Sequence, residues 1–166
     1  MKNRFISILT ASFITAICIN SCQSEEQLYY GRYYINGKLL YEQNCQNCHN
    51  KDGTALGMLI PPLTDSAYLK QNKNRLACII KYGLNEKITI HNKTYEEKMP
   101  GNNNLSDIDV AQLVVYITNS FGNNQGPYDA SEANADLLKC NWIFYRFINT
   151  GLDQLKYLHL RLQAVL

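Results

Sequence analysis

The residues best suited to chemistry lie together at Cys45, Cys48 and His49, in the run Cys45-Gln46-Asn47-Cys48-His49. This C-x-x-C-H spacing is the one by which haem is attached covalently to a polypeptide. The two thiols can form thioether bonds to the two vinyl groups of one porphyrin, and the adjacent imidazole can bind the iron as its proximal ligand. The motif therefore predicts one covalently bound haem c.

Three other sites use the same residue types. A zinc site needs two further ligands at similar spacing, and the sequence has no second C-x-x-C and no H-x-x-x-H. A thioredoxin-like redox pair needs a βαβ setting, and no strand-like segment leads into Cys45. A plain disulfide between Cys45 and Cys48 stays open at this point, although it gives no reason for the adjacent histidine.

The first 21 residues predict an export signal. Lys2 and Arg4 supply a positive start, residues 5–19 are mostly apolar, and Ser21 precedes Cys22. This order is typical of a secretory signal peptide, and it resembles that of bacterial lipoproteins, whose signal is cut before a cysteine that then carries lipid. The apolar run is shorter than the ~20 residues of a membrane-spanning helix, although an uncleaved anchor and simple secretion stay open. We expect an exported chain, lipid-anchored on the periplasmic side of a bacterial membrane.

The charge balance argues against a nucleic-acid partner. The chain has 16 lysines and arginines against 14 aspartates and glutamates, a formal charge of +2, and two of the cations are Lys2 and Arg4 of the leader. The remainder is formally neutral and carries no basic stripe. We therefore expect no binding of nucleic acid.

Two of the six cysteines are left over once the leader, the lipid and the haem have been assigned. Cys18 lies in the leader, so the remainder is Cys78 and Cys140, an even number in an oxidising compartment. We hypothesise a disulfide between them, and two buried free thiols are the alternative.

The elements before and after the motif must hold a haem between them. The sequence predicts a helix from about Arg32 to Cys45 and a proline loop at Pro61 and Pro62. It then predicts a short helix after Thr64-Asp65-Ser66 and a helix over residues 75–82 that ends at Gly83.

The second half of the chain continues this pattern. Two β-prone runs around residues 91–93 predict a small hairpin, and a bent loop with Met99 follows it. A capping-box-like start at Ser106 predicts a helix over residues 106–120. Residues 123–135 are predicted to be loop, and residues 136–140 one helical turn.

This order of features resembles the class I monohaem c-type cytochromes, over residues 32–122. In that family a small residue stands eight before the first haem cysteine and an aromatic residue four before it, and Gly37 and Tyr41 match these positions. Leu113 and Tyr116 match their partners on the last helix. The resemblance implies a mainly α fold of helices around one haem, with a small β-hairpin before the methionine loop.

The resemblance also implies how the iron is held. The sulfur of Met99 would be the sixth ligand, and the Pro61 carbonyl would accept a hydrogen bond from Nδ1 of His49, which fixes the tautomer of a ligating histidine. Three other residues are rival sixth ligands: Met58, His91 and His159. A lone methionine is more often core filling than a ligand, and His91 lies at a predicted turn, where we expect it to be exposed.

An iron bound by histidine and methionine has no open position, so it exchanges electrons and catalyses no further reaction. The resemblance thus implies an electron carrier and not an enzyme. Its partners would be redox proteins, such as a quinol-oxidising complex and a terminal oxidase or reductase. A haem c subunit of a larger oxidoreductase complex is the alternative, and a ligand-binding or peroxidatic haem protein is a third, although no distal His–Arg pair is recognisable.

These expectations divide the chain into four parts. Residues 1–21 are the signal peptide, residues 22–31 are the lipidated cysteine and a linker, and residues 32–122 are the cytochrome c domain. Residues 123–166 are a C-terminal extension of unknown role, whose last 25 or so residues carry leucines at helical spacing. Docking to a membrane or partner and packing on the domain are both open for this extension.

Overall fold

The computed structural model describes residues 24–57 and 59–140. Residues up to Arg32 belong to one compact unit and residues from Tyr33 onward to a second. Several predictions fall outside the described residues: those for the signal peptide, Cys22, Met58, His159 and the segment 142–166. Within the described part, no helix is long and apolar enough to cross a membrane.

Helix α1 (Glu25–Asn44) leads into the C-x-x-C-H motif. It begins with a capping box, in which Oγ of Ser24 accepts the backbone N–H of Gln27 at 3.2 Å and Oε1 of Gln27 accepts that of Ser24 at 3.4 Å. The two bonds satisfy donors that would otherwise be unpaired at the first turn. Residues 25–31 are therefore helical, and the helix begins at Glu25 and not at about Arg32 as predicted.

Helix α5 (Asp107–Thr118) forms the centre of the core, since every residue from Val110 to Thr118 is buried. Its start confirms the predicted capping box. Oγ of Ser106 accepts the N–H of Asp109 at 3.2 Å, and Oδ2 of Asp109 accepts the N–H of Ser106 at 2.9 Å. A helix that is buried on all sides must be enclosed by other elements, and the helices Ser66–Gln71 and Lys73–Tyr82 both contact it.

The C-terminal half of α1 crosses α5 at close range. A Cβ atom added at Gly37 would lie 2.6 Å from the backbone carbonyl carbon of Gln112 and 2.9 Å from Cβ of Tyr116. Next to this crossing, the ring centroids of Tyr41 and Tyr116 are 5.3 Å apart, and that of Phe121 lies 5.3 Å from Tyr41. The residues that match the family's pattern on the first and last helices thus meet where these helices cross, and an aromatic cluster stabilises the crossing.

Three shorter helices complete the site-bearing part of the chain: α2 (Gln46–His49), α3 (Ser66–Gln71) and α4 (Lys73–Tyr82). The N-cap of α3 is Asp65, whose Oδ1 accepts the N–H of Tyr68 at 2.9 Å. Helix α4 ends at Gly83, which has a φ of 85°. Glycine adopts this left-handed conformation without the cost that a Cβ atom brings, and it ends the helix as predicted.

Four short strands form two antiparallel pairs: β1 (Gly83–Leu84) with β4 (Met99–Pro100), and β2 (Ile88–Ile90) with β3 (Lys93–Tyr95). The second pair is the predicted hairpin. Its turn consists of His91 and Asn92, with φ of 48° and 60°. Two positive φ values in succession define the tight turn whose twist suits a two-residue hairpin.

Helix α6 covers residues 130–140 of the described chain. Our prediction of a loop was therefore right for residues 123–129 and wrong for residues 130–135, which belong to a helix longer than the single turn predicted after them. The cause is a third capping box: Oδ1 of Asp129 accepts the N–H of Glu132 at 2.8 Å, and Oε2 of Glu132 accepts the N–H of Asp129 at 2.9 Å. This pair starts the helix within a polar segment that shows little apolar periodicity.

A disulfide joins α4 to α6. It links Cys78 to Cys140, with 5.9 Å between their Cα atoms, as predicted from the count of cysteines. A further contact of α6 is a buried hydrogen bond of 3.0 Å from the Tyr128 hydroxyl to Oδ2 of Asp136. Burial, together with this bond to an anionic carboxylate, raises the pKa of Tyr128.

Candidate haem site

The C-x-x-C-H motif forms one helical turn directly after α1. The Cys45 carbonyl accepts the N–H of Cys48 at 3.1 Å and that of His49 at 2.9 Å. Residues three and four apart lie on the same face of a helical turn. The spacing therefore places the two thiols and the imidazole on one side of the chain, as attachment to a single porphyrin requires.

The two thiols are free in the structure, with Cys48 exposed and Cys45 partly buried. Burial raises the pKa of Cys45 to about 11, and the neighbouring Cys48 contributes in the same direction. A thioredoxin-like pair depends on a lowered thiol pKa, because the thiolate is its nucleophile. The environment of Cys45 is the reverse of that, and it suits a thiol that is to become a neutral thioether.

His49 is buried, and its Nδ1 atom has no hydrogen-bond partner. Burial lowers the pKa of its imidazole, and the nearby Pro61 carbonyl opposes this change. The carbonyl thus lies near the ring, but the predicted hydrogen bond from Nδ1 of His49 is not formed. The neutral imidazole that results is the form that binds a metal.

An apolar cleft opens beside the motif. A second cavity shares six lining residues with it, namely His49, Pro61, Leu84, Ile88, Met99 and Pro100. Cofactor sites are typically concave and mostly apolar. The predicted ligands His49 and Met99 therefore line the same space.

Aliphatic side chains supply most of the remaining wall. They come from α3, α4, the second short strand and α5, and include Leu69, Leu76, Ile79, Ile80, Ile90, Leu113 and Ile117. Such a wall excludes water and suits the flat apolar body of a porphyrin. The lining thus fits the cofactor that the motif predicts.

The position of Met99 is set by the pairing of β1 with β4. Leu84 is opposite Met99, and Gly83 is opposite Pro100. A Cβ atom at Gly101 would stand 2.5 Å from the backbone carbonyl carbon of Tyr82 and 2.7 Å from the nitrogen of Gly83. Glycine at position 101 therefore permits the close approach of backbones that brings Met99 to the cleft.

His91, a rival ligand, lies away from this cleft. Its side chain is 82% exposed, and its Nε2 lies 2.8 Å from Oδ2 of Asp65. The expectation that it is exposed at the hairpin turn is confirmed. Within residues 24–57 and 59–140, no group of three or more His, Cys, Asp or Glu side chains could hold a metal ion, so a zinc site finds no further ligands there.

Two polar contacts beside the motif were not predicted from the sequence. The Tyr41 hydroxyl donates to the carbonyl of Asn50 at 2.6 Å and to that of His49 at 3.3 Å. Nδ2 of Asn102 donates to Oδ1 of Asn44 at 3.0 Å, which ties the methionine loop to the end of α1. The sequence carries no signal for either contact, because both join segments whose approach depends on the fold.

Comparison with known proteins agrees with this site. The family described as cytochrome C oxidase, cbb3-type, subunit III matches residues 34–117, a span that contains the C-x-x-C-H motif, the proline loop and Met99. A relative in Gluconobacter oxydans (strain 621H), the cytochrome c subunit of alcohol dehydrogenase (quinone), is 31% identical over 99 residues. That alignment covers 58% of this chain and 20% of the relative. The family match spans half of the chain, and the chain therefore belongs to this family of class I c-type cytochromes, which bind haem c covalently.

Proposed function

We propose that this cytochrome c domain transfers single electrons between redox partners and does not itself catalyse a reaction. The observation that carries the proposal is that His49 and Met99 line the same apolar cleft. An imidazole and a thioether together saturate a haem iron, so no position is left for a substrate.

Each predicted site residue has a distinct task. Cys45 and Cys48 hold the cofactor covalently, His49 supplies a neutral imidazole, and Met99 supplies a thioether. When bound, haem c supplies a one-electron Fe(II)/Fe(III) couple, and thioether ligation favours its reduced state. We expect the Pro61 carbonyl, which lies near the imidazole, to accept the Nδ1 proton and so orient the His49 ring in the haem-loaded protein.

The exposed Cys48 indicates where electrons would enter or leave. Cys48 lies at the edge of the second cavity, close to the exposed Leu59. A partner docked there would approach the covalently held edge of the cofactor. Redox encounters of this kind use small interfaces and weak binding, so that the partners separate quickly.

We further propose that lipid on Cys22 tethers the domain to the periplasmic side of a bacterial membrane. The support is the order of Lys2, Arg4, the apolar run 5–19 and Cys22 in the sequence. Fractionation of cells that produce Cys22→Ser tests this. The variant is expected in the soluble fraction and the parent protein in the membrane fraction, and equal partition of the two would contradict the tether.

A second candidate is that the chain serves as a haem c subunit of a larger oxidoreductase complex. The relative in Gluconobacter oxydans bears the name of such a subunit. Gel filtration of the protein after mild detergent extraction distinguishes the candidates. A carrier elutes at the size of the single chain, whereas a subunit elutes with a haem- or flavin-containing or other redox enzyme.

The test of the electron-carrier proposal is Met99→Ala. The ferric protein should lose the weak far-red absorption band that reports sulfur on iron, and its reduction potential should fall, while the covalent haem stays on a denaturing gel. Met58→Ala is the matched control and should keep both properties. If the unaltered ferrous protein binds CO rapidly at neutral pH, the iron has an open position and the proposal is overturned.

A further inference from the structure

The chain takes a strained path directly after His49. Asn50 has φ of 57° and ψ of 165°, a combination that is largely confined to glycine. Ala55, five residues on, has φ of 69°. Strained backbone of this kind persists only where neighbouring contacts hold it, and it is concentrated at functional sites.

Two hydrogen bonds close the loop between these residues. The N–H of Ala55 donates to the His49 carbonyl at 3.2 Å, and Nδ2 of Asn50 donates to the Ala55 carbonyl at 2.6 Å. The loop therefore holds itself together, but neither bond uses the carbonyl of Asn50, the oxygen of the strained residue. Within the loop, the Asn50 carbonyl accepts a long bond of 3.4 Å from the N–H of Gly53.

Tyr41 supplies a shorter contact from another element. Its hydroxyl donates to the Asn50 carbonyl at 2.6 Å and lies 3.3 Å from the His49 carbonyl. Its side chain is 1% exposed, and the rings of Tyr116 and Phe121 hold it in place. A donor fixed in this way acts on the two peptide groups that follow the imidazole-bearing Cα.

We propose that Tyr41 is a positioning residue for His49: its hydroxyl holds the strained Asn50 peptide and thereby sets the orientation of the His49 imidazole in the cleft. A phenylalanine at this position would fill the same space and support the crossing of α1 and α5 equally well. The hydroxyl therefore contributes to the geometry of the chain after His49 and not to the packing of α1 on α5. The inference rests on the proposed function, because it requires His49 to be an iron ligand.

The test compares Tyr41→Phe with Tyr116→Phe in the haem-loaded protein. The control removes a hydroxyl from the same aromatic cluster, but one that lies by Ser120 and bonds neither carbonyl. In Tyr41→Phe the ferric electron paramagnetic resonance g-values should shift, because they report the orientation of the axial imidazole. The ratio of ferrous to ferric protein at a fixed ambient potential should fall about fivefold. This change corresponds to the net free energy of about one hydrogen bond. Tyr116→Phe should leave both properties unchanged.

A rescue experiment separates positioning from general stability. Glycine adopts the φ and ψ of Asn50 without strain, so Asn50→Gly in the Tyr41→Phe background should move the g-values back toward those of the Asn50→Gly single variant. If Tyr41→Phe fails to bind haem, recovery of haem-loaded protein in the double variant supports the proposal, and no recovery overturns it.

The remaining outcomes are also decisive. Unchanged g-values and an unchanged ferrous ratio in Tyr41→Phe overturn the positioning role, even if the variant unfolds at lower denaturant concentration. In that case a normal far-red band in the parent protein shows that the electron-carrier proposal survives. If the parent protein shows no histidine ligation, both proposals fail together.

Discussion

Gly37 of α1 lies against the backbone of Gln112 on α5, so closely that a Cβ atom at position 37 would stand 1.9 Å from the Gln112 carbonyl oxygen. No side chain other than hydrogen fits between the two backbones. Because Tyr41 follows one turn later on the same helix, this contact also sets how far the Tyr41 hydroxyl reaches toward the chain after His49. The close approach of the two helices is thus linked to the geometry of the turn that carries His49.

Gly37→Ala should lower the free energy of unfolding by about 2–3 kcal/mol, because the added methyl group overpacks the crossing against rigid backbone. Chemical denaturation of the haem-loaded protein measures this loss. Gly31→Ala on the same helix is the matched control, since nothing lies within 4 Å of a Cβ atom there. That variant should gain about 0.5–1 kcal/mol from helix propensity alone. Equal effects of the two substitutions would contradict the close crossing.

Gly101→Ala should displace the strand that carries Met99, because the methyl group would meet the backbone of Tyr82 and Gly83. The far-red band of the ferric protein should weaken or vanish, as it does in the absence of a sulfur ligand, while the haem stays covalently attached. Absorption spectra of the purified variant measure this. A full-strength band would show that Met99 does not depend on the β1–β4 contact, and Gly31→Ala should keep the band.

The disulfide between Cys78 and Cys140 should contribute about 4 kcal/mol to stability, because it closes a loop across a sequence separation of 62 residues. The double variant Cys78→Ser/Cys140→Ser should unfold at correspondingly lower guanidinium concentration. Each single variant should lose as much as the double one, since either substitution breaks the bond. In the mature haem-loaded protein, where Cys45 and Cys48 are thioethers, mass measurement after alkylation without reductant should find no label on Cys78 or Cys140, and a label on both would disprove the bond.

Asp129 should make the stability of α6 depend on pH. Hydrogen bonds from Ser131 and from the backbone of Glu132 hold the pKa of this carboxyl below its ordinary value of 3.8. The folded state therefore binds fewer protons than the unfolded state, so the contribution is full above pH 4 and is lost as the pH falls through the lowered pKa. The free energy of unfolding of the parent protein minus that of Asp129→Asn should fall over this range. A difference that is independent of pH between 2 and 7 would contradict the prediction.

Local patterns in the sequence predicted the parts of the molecule that depend on nearest neighbours. The C-x-x-C-H turn, the capping box at Ser106, the glycine end of α4 and the hairpin turn at His91 all involve residues within four positions of one another. The disulfide followed from counting cysteines and from the expectation of an oxidising compartment. The prediction of Met99 as a ligand required the resemblance to a family, because nothing in the neighbouring sequence distinguishes it from Met58.

The predicted starts of two helices were wrong for a local reason that is easily overlooked. Ser24 with Gln27 and Asp129 with Glu132 are capping boxes within polar segments, where little apolar periodicity marks the helices that they begin. Hydrogen bonds at the first turn outweighed the polar composition.

The long-range contacts of the site could be seen only in three dimensions. Gly37 against Gln112, Gly101 against Gly83, and the Tyr41 hydroxyl against Asn50 each join segments that no periodicity relates. The distances between these groups depend on how whole helices and strands pack. A shift of about 1 Å between two elements would break each of these contacts. The amino-acid order thus specified which groups could hold a haem, whereas the packing of α1 on α5 and of β1 on β4 set where those groups stand.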